Sequence, residues 1–422
     1  MNAVKMPFAL VFSLVLGACL AQGATHNVGA GQSIQTAING AANGDTIVLT
    51  APTEYAGHLT INGKALRIKA MSDQTNIVGN LSISGVPANG KVVLRNCKLT
   101  GNVDANGSSL DLLRCIVDGT VTLPAKQGTT GNDLQLTVLQ SDLRLKLSSK
   151  AARSWIGYST LYKTYLENKL EIVGNVFDGR DLGGIGLDLN GSATEAAIHN
   201  NQIINFAQDS GVVIEGCIGI RIDGGAKATI RNNRINNNAK GSNSSSRWVG
   251  MGVYVKSTSG TRIEGNHFYK NFFEYGHNLT DYLDTIGDCH IYAQAQNMVV
   301  RNNSFHLQHA SSGSQRSNAN ARTKGGVLSG EYVSTHSGRW DVFLTNPTYL
   351  AQGYPTADKG PYEAIHLDHD GSRNDIGPNG GRNYIPDGRT TDKPIPISFT
   401  IAPQIVPVGG TVTIESTGAT VK

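Results

Sequence analysis

Four short segments of this chain collect side chains able to do acid–base or metal chemistry. They are GIGLDLNG (184–191), GVVIEGC (211–217), GMGVYVKS (250–257) and CHIYAQAQ (289–296). Each alternates apolar and polar residues at the period of a half-buried strand. Alternation turns Leu187/Leu189, Val212/Ile214, Val253/Val255 and Ile291/Ala293 inward, leaving Asp188, Glu215, Tyr254, Lys256, His290 and Tyr292 outward. Lys256, His290 and Tyr254 are candidate bases for removing a proton beside a carboxylate, which also needs a cation to neutralise that carboxylate. Asp188 and Glu215 could hold calcium through oxygen ligands. As a carboxylate pair they are also the only such candidates on these strands for glycoside hydrolysis. The plain reading of all six is a polar face that keeps a sheet in water.

Long segments follow these strands, and loops of such length in a compact fold are usually functional. Residues 239–249 carry Arg247 and Trp248, and 271–288 carry Tyr275, His277, Asp281, Tyr282 and Asp284. Residues 308–340 carry His309, Arg316, Arg322 and His336. Aromatic and imidazole rings suit stacking on ring-shaped ligands, and Arg suits carboxylates. Trp248, Arg247, Tyr292, His277 and Tyr282 are therefore the candidate substrate contacts. Further on, Asp368, Asp370 and Asp375 are spaced like a short calcium loop. The EF-hand pattern wants Glu at its twelfth position, where Asn379 stands, so a structural turn is the stronger expectation.

The elements that must position these groups come from a repeat. An apolar stretch, then Asn, Cys or Ser, any residue, and an apolar residue recurs as VVLRNCKL, LDLLRCIV, LEIVGNVF, AAIHNNQI, ATIRNNRI, TRIEGNHF and MVVRNNSF. The repeated slot holds Cys97, Cys115, Asn175, Asn201, Asn233, Asn266 and Asn303, with Ser141 and Ser159 in weaker copies. The intervals, 18, 26, 18, 16, 26, 32, 33 and 37 residues, vary as they do when short strands stay constant and loops differ. The pattern predicts an all-β, right-handed parallel β-helix, with coils about 4.8 Å apart and ladders of like residues along the axis. The slot Asn is expected at a sharp turn in the left-handed conformation, as a structural ladder. Cys97 and Cys115, one coil apart, should stack or bridge.

Composition agrees. Of 422 residues 50 are Gly and only 16% are charged, which argues against a coiled coil, a helical bundle or a charged disordered chain. A net charge of +4 is too small to imply a nucleic-acid partner. Residues 1–23 read as a secretory signal, with Lys5 before an apolar run too short to span a bilayer. Leu16-Gly17-Ala18-Cys19 resembles a bacterial lipobox, so Cys19 is the candidate lipidation site and the outer membrane or cell surface the expected location. The alternative is ordinary cleavage near Gly23, giving a periplasmic or secreted protein.

VGAGQSIQTAINGAANGDTIVL (28–49) resembles the entry to bacterial β-helices of the pectate-lyase-like superfamily, where a short amphipathic helix (here 33–42) caps the open end of the solenoid. DHDGSRNDIGPNGG (368–381) is similar to the phrase that closes many exported members, with Pro378 in place of the usual Ala. The resemblance implies a β-helix over 25–390, a β-strand extension over 395–422, and a cleft on one parallel sheet overlooked by the longest loops. It implies binding of an acidic, uronic-acid polysaccharide, with cleavage by β-elimination and calcium as the possible cofactor. The alternative is a non-catalytic cell-surface carbohydrate-binding protein, adhesin or scaffold; a hydrolase or epimerase ranks below both. The chain lacks the WxDH and RxPxxR phrases of the best-known pectate lyases, and Gly276-His277-Asn278 only partly echoes the polygalacturonases. No catalytic residue carries over from either family.

Overall fold

A computed structural model describes residues 23–125, 133–180, 183–206 and 217–236, then Asn238, 250–256, 260–269, Asn271, 289–293, 298–301 and 303–306. Beyond these it describes the strands 321–323, 326–327, 342–344, 395–402 and 413–419. Cys19, Glu215, Arg247, Trp248, His277, Tyr282, Asp368, Asp370 and Asp375 lie outside the described residues.

The chain opens with strand Thr25–Val28 and a helix, α1 (Ile34–Gly40). Ser33 is its N-cap and accepts from the backbone N–H of Thr36 at 3.2 Å. Ile34 and Ile38, four apart, are buried over the end of the core. At the far end Lys64 donates to the carbonyls of Ile38, Asn39 and Ala41, satisfying groups that the last turn leaves open. The cap therefore forms where the sequence predicts it.

From there the chain winds as a right-handed parallel β-helix. A 12-stranded sheet, sheet A, takes one strand per coil in chain order from Thr25–Val28 to Val299–Arg301. The remaining coil strands form sheet B, whose pairings are parallel apart from the short return of Ala321–Thr323 against Gly326–Val327. The interior is one continuous apolar core running from Val28 to Val300. Ile395–Ala402 and Thr413–Ala419 pair as a separate antiparallel hairpin.

The slot residues form a single internal ladder. The Oδ1 of Asn201, Asn233, Asn266 and Asn303 each accepts the backbone N–H and the side-chain Nδ2 of the slot residue one coil back, at 2.9–3.0 Å. Ser159 N–H donates to Asn175, Ser141 N–H to Ser159 and Cys115 N–H to Ser141, so the smaller copies share the same rail. The expected left-handed conformation belongs instead to the preceding residue: Asn96, Arg114, Gln140, Tyr158, Gly174, Asn200, Asn232 and Gly265 all have positive φ. That residue turns the corner, and the slot side chain is thereby aimed inward. Cys97 and Cys115 stack without a disulfide. Contact with Cys115, with burial added, pushes the Cys97 thiol well above the ordinary thiol range.

Candidate functional site

Register decides which outward side chains share a row. Strands Thr160–Leu166, Gly184–Leu189, Cys217–Ile222, Gly250–Val255 and Cys289–Ala293 stack in sheet B. Their pairing aligns Tyr165, Asp188, Arg221, Tyr254 and Tyr292 in one row along the axis. Leu187, Ile220, Val253 and Ile291 are the inward neighbours on one side and Leu189, Ile222, Val255 and Ala293 on the other; all eight are fully buried.

The strand paired with Gly184–Leu189 differs from the one expected over 211–217, of which only Cys217 is among the described residues. The partner of Gly184–Leu189 is Cys217–Ile222, so Ile220 and Ile222 hold the inward places assigned to Val212 and Ile214. The neighbour of Asp188 is Arg221, not Glu215. Arg221 donates to both carboxylate oxygens of Asp188, Nε to Oδ1 at 2.9 Å and Nη2 to Oδ2 at 2.7 Å. Such a bidentate fork engages the whole carboxylate. Asp188, expected as a calcium ligand with Glu215, is thus paired with a guanidinium. Among the described residues no three His, Cys, Asp or Glu side chains cluster as a metal site.

His290 is the second correction. Strict alternation places it outward, but its ring faces the core, fully buried beside Phe268 at 5.8 Å between ring centres. Alternation fails because two successive residues turn inward in these strands: Gly186-Leu187, Gly219-Ile220, Gly252-Val253 and His290-Ile291. A Cβ on Gly186, Gly219 or Gly252 would meet Phe206, Ile203 or Phe268, all core residues. His290 ends a second internal ladder. Asn238 Nδ2 donates to Asn271 Oδ1 at 2.8 Å, and Asn271 Nδ2 lies 3.1 Å from His290 Nδ1. Because that amide nitrogen donates, Nδ1 accepts and the proton sits on Nε2. On the other face Ile218, Met251, Tyr254 and Tyr292 pack as a separate apolar group.

Tyr254 and Tyr292 do face outward, yet both are buried, at 0% and 2% exposure, with rings 5.5 Å apart. Lys256 follows the end of its strand and remains accessible, its Nζ 3.6 Å from Asp223 Oδ2. It belongs to a second row two residues further along: Lys150, Glu167, Asn190, Asp223 and Lys256, joined by backbone bonds from one coil to the next. Lys150 Nζ lies 2.9 Å from Glu167 Oε1, and Tyr165 donates to that same oxygen at 2.5 Å. Burial, then the hydrogen bond to Glu167 and the charges of Glu167 and Asp188, push the Tyr165 hydroxyl up to about 12. Its proton therefore stays in place at any physiological pH.

The polar stretch that results is Tyr165, Glu167, Asp188, Arg221, Asp223 and Lys256, spread over four coils. Four of these six, Tyr165, Glu167, Arg221 and Asp223, went unrecognised in the sequence, and for Arg221 the signal was present. Written one under another as IGLDL, IGIRI, MGVYV and CHIYA, the four strands show Asp188, Arg221, Tyr254 and Tyr292 in a single column.

No protein-family model matches the sequence, and no curated protein matches it. Among solved structures, the chain is similar to the pectate lyase Pel9A at 13% identity, over 86% of this chain and 97% of that one, with a TM-score of 0.38. It is similar to the alginate lyase AlyGC of family PL6 at 14% identity, over 71% of this chain and 47% of that one, with a TM-score of 0.32. A mannuronic-acid-specific family 6 lyase from human gut microbiota matches at 12% identity, over 78% and 92%, with a TM-score of 0.33. The β-helix assignment stands on the parallel registers themselves.

Proposed function

We propose that this protein is an exported, lipid-anchored β-helix that binds an acidic polysaccharide along the outer face of sheet B. One observation carries the reading: two adjacent rows present a different polar or charged side chain on each successive coil, Tyr165–Asp188–Arg221 beside Glu167–Asn190–Asp223–Lys256. A face that served only to stay in water would need no bidentate pair at 13% and 19% side-chain exposure and no Tyr–carboxylate bond at 2.5 Å. Fixed donors and acceptors repeated every ~4.8 Å suit an extended chain of hydroxyl- and carboxylate-bearing rings lying along the axis.

The geometry supports binding better than cleavage. Elimination needs a base and a proton donor at one bond. Lys256, the accessible candidate base, is three coils from Tyr165, the group most firmly held as a donor, so their backbones are roughly 14 Å apart. His290 faces the core and Tyr254 is buried. Cleavage by β-elimination is the second reading, favoured by the protonated Tyr165 beside Glu167 and Lys150. Under that reading Arg221 supplies the positive charge for which calcium was expected.

The test is a binding panel of uronic-acid and neutral polysaccharides, run with ultraviolet detection of the unsaturated uronide that elimination creates. Binding to acidic chains that weakens about tenfold or more in Arg221→Ala, with a flat absorbance trace, is the expected result. A rise in absorbance abolished by Tyr165→Phe would establish the second reading. Acidic chains that bind no better than neutral ones, or a wild-type affinity in Arg221→Ala, would overturn the proposal. The anchor has its own test: Cys19→Ala should release the protein from the membrane fraction.

A further inference from the structure

Sheet A carries a depression of about 420 Å³ on its outer face, on a different sheet from the rows above. Two rows make it. One runs Arg153, Lys169, Glu195 and Lys227; the other, two residues along, runs Trp155, Glu171, Ala197, Thr229 and Arg262. In the second row long side chains give way to Ala197 and Thr229 before Arg262 resumes. Coil spacing puts Glu171 and Arg262 roughly 14 Å apart with only short side chains between them. The first row ends at Gly260, where a Cβ would meet nothing within 4 Å, so that side stays open as well.

The walls have a definite chemistry. Arg153, Lys169 and Lys227 are exposed cations around the rim, and Glu171, Glu195 and Thr229 offer acceptors. Ala197 forms an apolar floor. Arg153 is held in place by the Trp155 ring, its Cζ 4.5 Å from the ring centre, and its Nη2 reaches only to 4.0 Å from Glu171 Oε1. Burial pushes the Glu171 carboxyl up from the usual carboxylate range, with Arg153 opposing. A carboxylate so placed accepts from a sugar hydroxyl.

We propose that this depression is a second carbohydrate site that takes one acidic sugar residue. The sugar carboxylate would lie across Lys169 and Lys227, whose two charges exceed that of Glu195 standing between them in the row, its hydroxyls against Glu171 and Thr229, and an apolar ring face over Ala197. Charge-assisted bonds to the carboxylate give the selection against neutral sugars. The site shares no residue with the sheet B rows and does not depend on how that face is read.

Calorimetric titration of the full chain with glucuronate, glucose and acetate tests it. Glucuronate should bind, glucose and acetate should not, and a Lys169→Ala/Lys227→Ala double variant should weaken binding at least about tenfold, or ~1.4 kcal/mol. Both lysines are exposed, so the variant should keep the wild-type circular dichroism. Glucose binding as well as glucuronate, acetate binding equally, unchanged affinity in the double variant, or no binding would each overturn the proposal.

Discussion

Two rails run along this solenoid, one inside and one outside, and both are built the same way, from one residue per coil in strict register. The internal rail repeats its chemistry: Asn175, Asn201, Asn233 and Asn266 each donate to the Asn of the next coil by the same atoms, ending on Asn303. The external rail of Tyr165, Asp188, Arg221, Tyr254 and Tyr292 never repeats a side chain until its last two members. A ladder needs identical rungs to satisfy buried amides, because each Asn both donates and accepts along the axis. A surface that recognises something else needs rungs that differ. Uniformity along a coil position therefore marks structure, and variety held in rigid register marks a site.

The sharpest way to break that contrast is to cut the internal rail. Asn233→Ala should destabilise by about 4 kcal/mol, because Asn201 loses its acceptor and the carbonyls of Ile198 and Arg231 lose a donor in a dry interior. Denaturant unfolding reads the total. Hydrogen exchange should show the loss concentrated in the adjoining coils, as expected when each repeat contacts mainly its neighbours. Asp188→Ala on the outer rail should cost about 1 kcal/mol, since solvent can reach the Arg221 it leaves behind. Equal costs would show that the two rails do not differ in kind.

Next in size is the inward row of glycines that displaces the alternation. Gly219→Ala would put a Cβ 2.6 Å from Gly252 O and 2.9 Å from Asn238 Nδ2. Backbone cannot give way cheaply there, so the expected cost is about 2–3 kcal/mol by thermal or chemical unfolding. Gly260→Ala, in open space but at φ +82°, serves as the comparison. Its cost should come from backbone strain alone, about 1 kcal/mol.

These substitutions also mark what could be read in advance. The slot was legible because one short word recurs with the same apolar flanks, and the cap because Ser33 precedes apolar residues four apart. The displaced strand was not. GVVIEGC looks more strand-like than CIGIRI by local preference, and only the register against IGLDL distinguishes them. The inward turn of His290 was hidden because period-two reasoning has no term for two consecutive inward residues, although Gly186, Gly219 and Gly252 signal the place. A further repeat, GHLTIN, GNLSIS, GNVDAN and GTVTLP, also went unread. There the Oδ1 atoms of Asn80 and Asn102 accept the N–H of Asn102 and Thr120, one coil on.

Acid should distinguish a half-buried imidazole on the outer side of sheet A from the neutral amides of the internal rail. Burial, aided by the charge of Arg231, lowers the His199 pKa from 6.5 to about 4. Its Nδ1 makes no hydrogen bond among the described residues. As pH falls the unfolded chain takes up the proton first, so stability is full above about 6.5 and declines toward 4. The loss should be about 2 kcal/mol, less than a fully sealed ring would show because part of His199 reaches solvent. Unfolding midpoints measured across that window should fall for the wild type and fall less for His199→Gln. Parallel curves for the two would assign the acid sensitivity elsewhere.

The smallest expected effect is the most exacting test of the uniform-rail idea. Cys115→Ser places in the slot a residue already used there at positions 141 and 159. Ser141 Oγ donates to Leu112 O and Leu139 O at 3.2 and 2.9 Å, as Cys115 Sγ does to Leu94 O and Leu113 O at 3.4 and 3.5 Å. The shorter Ser side chain leaves a small gap, and its stronger hydrogen bonds offset most of that loss. A change below about 1 kcal/mol is expected, with the backbone N–H at position 115 still donating to Ser141 Oγ as it does in the wild type. A cost approaching that of Asn233→Ala would mean that the thiol pair is a packing unit of its own and that the rail begins only at Ser141.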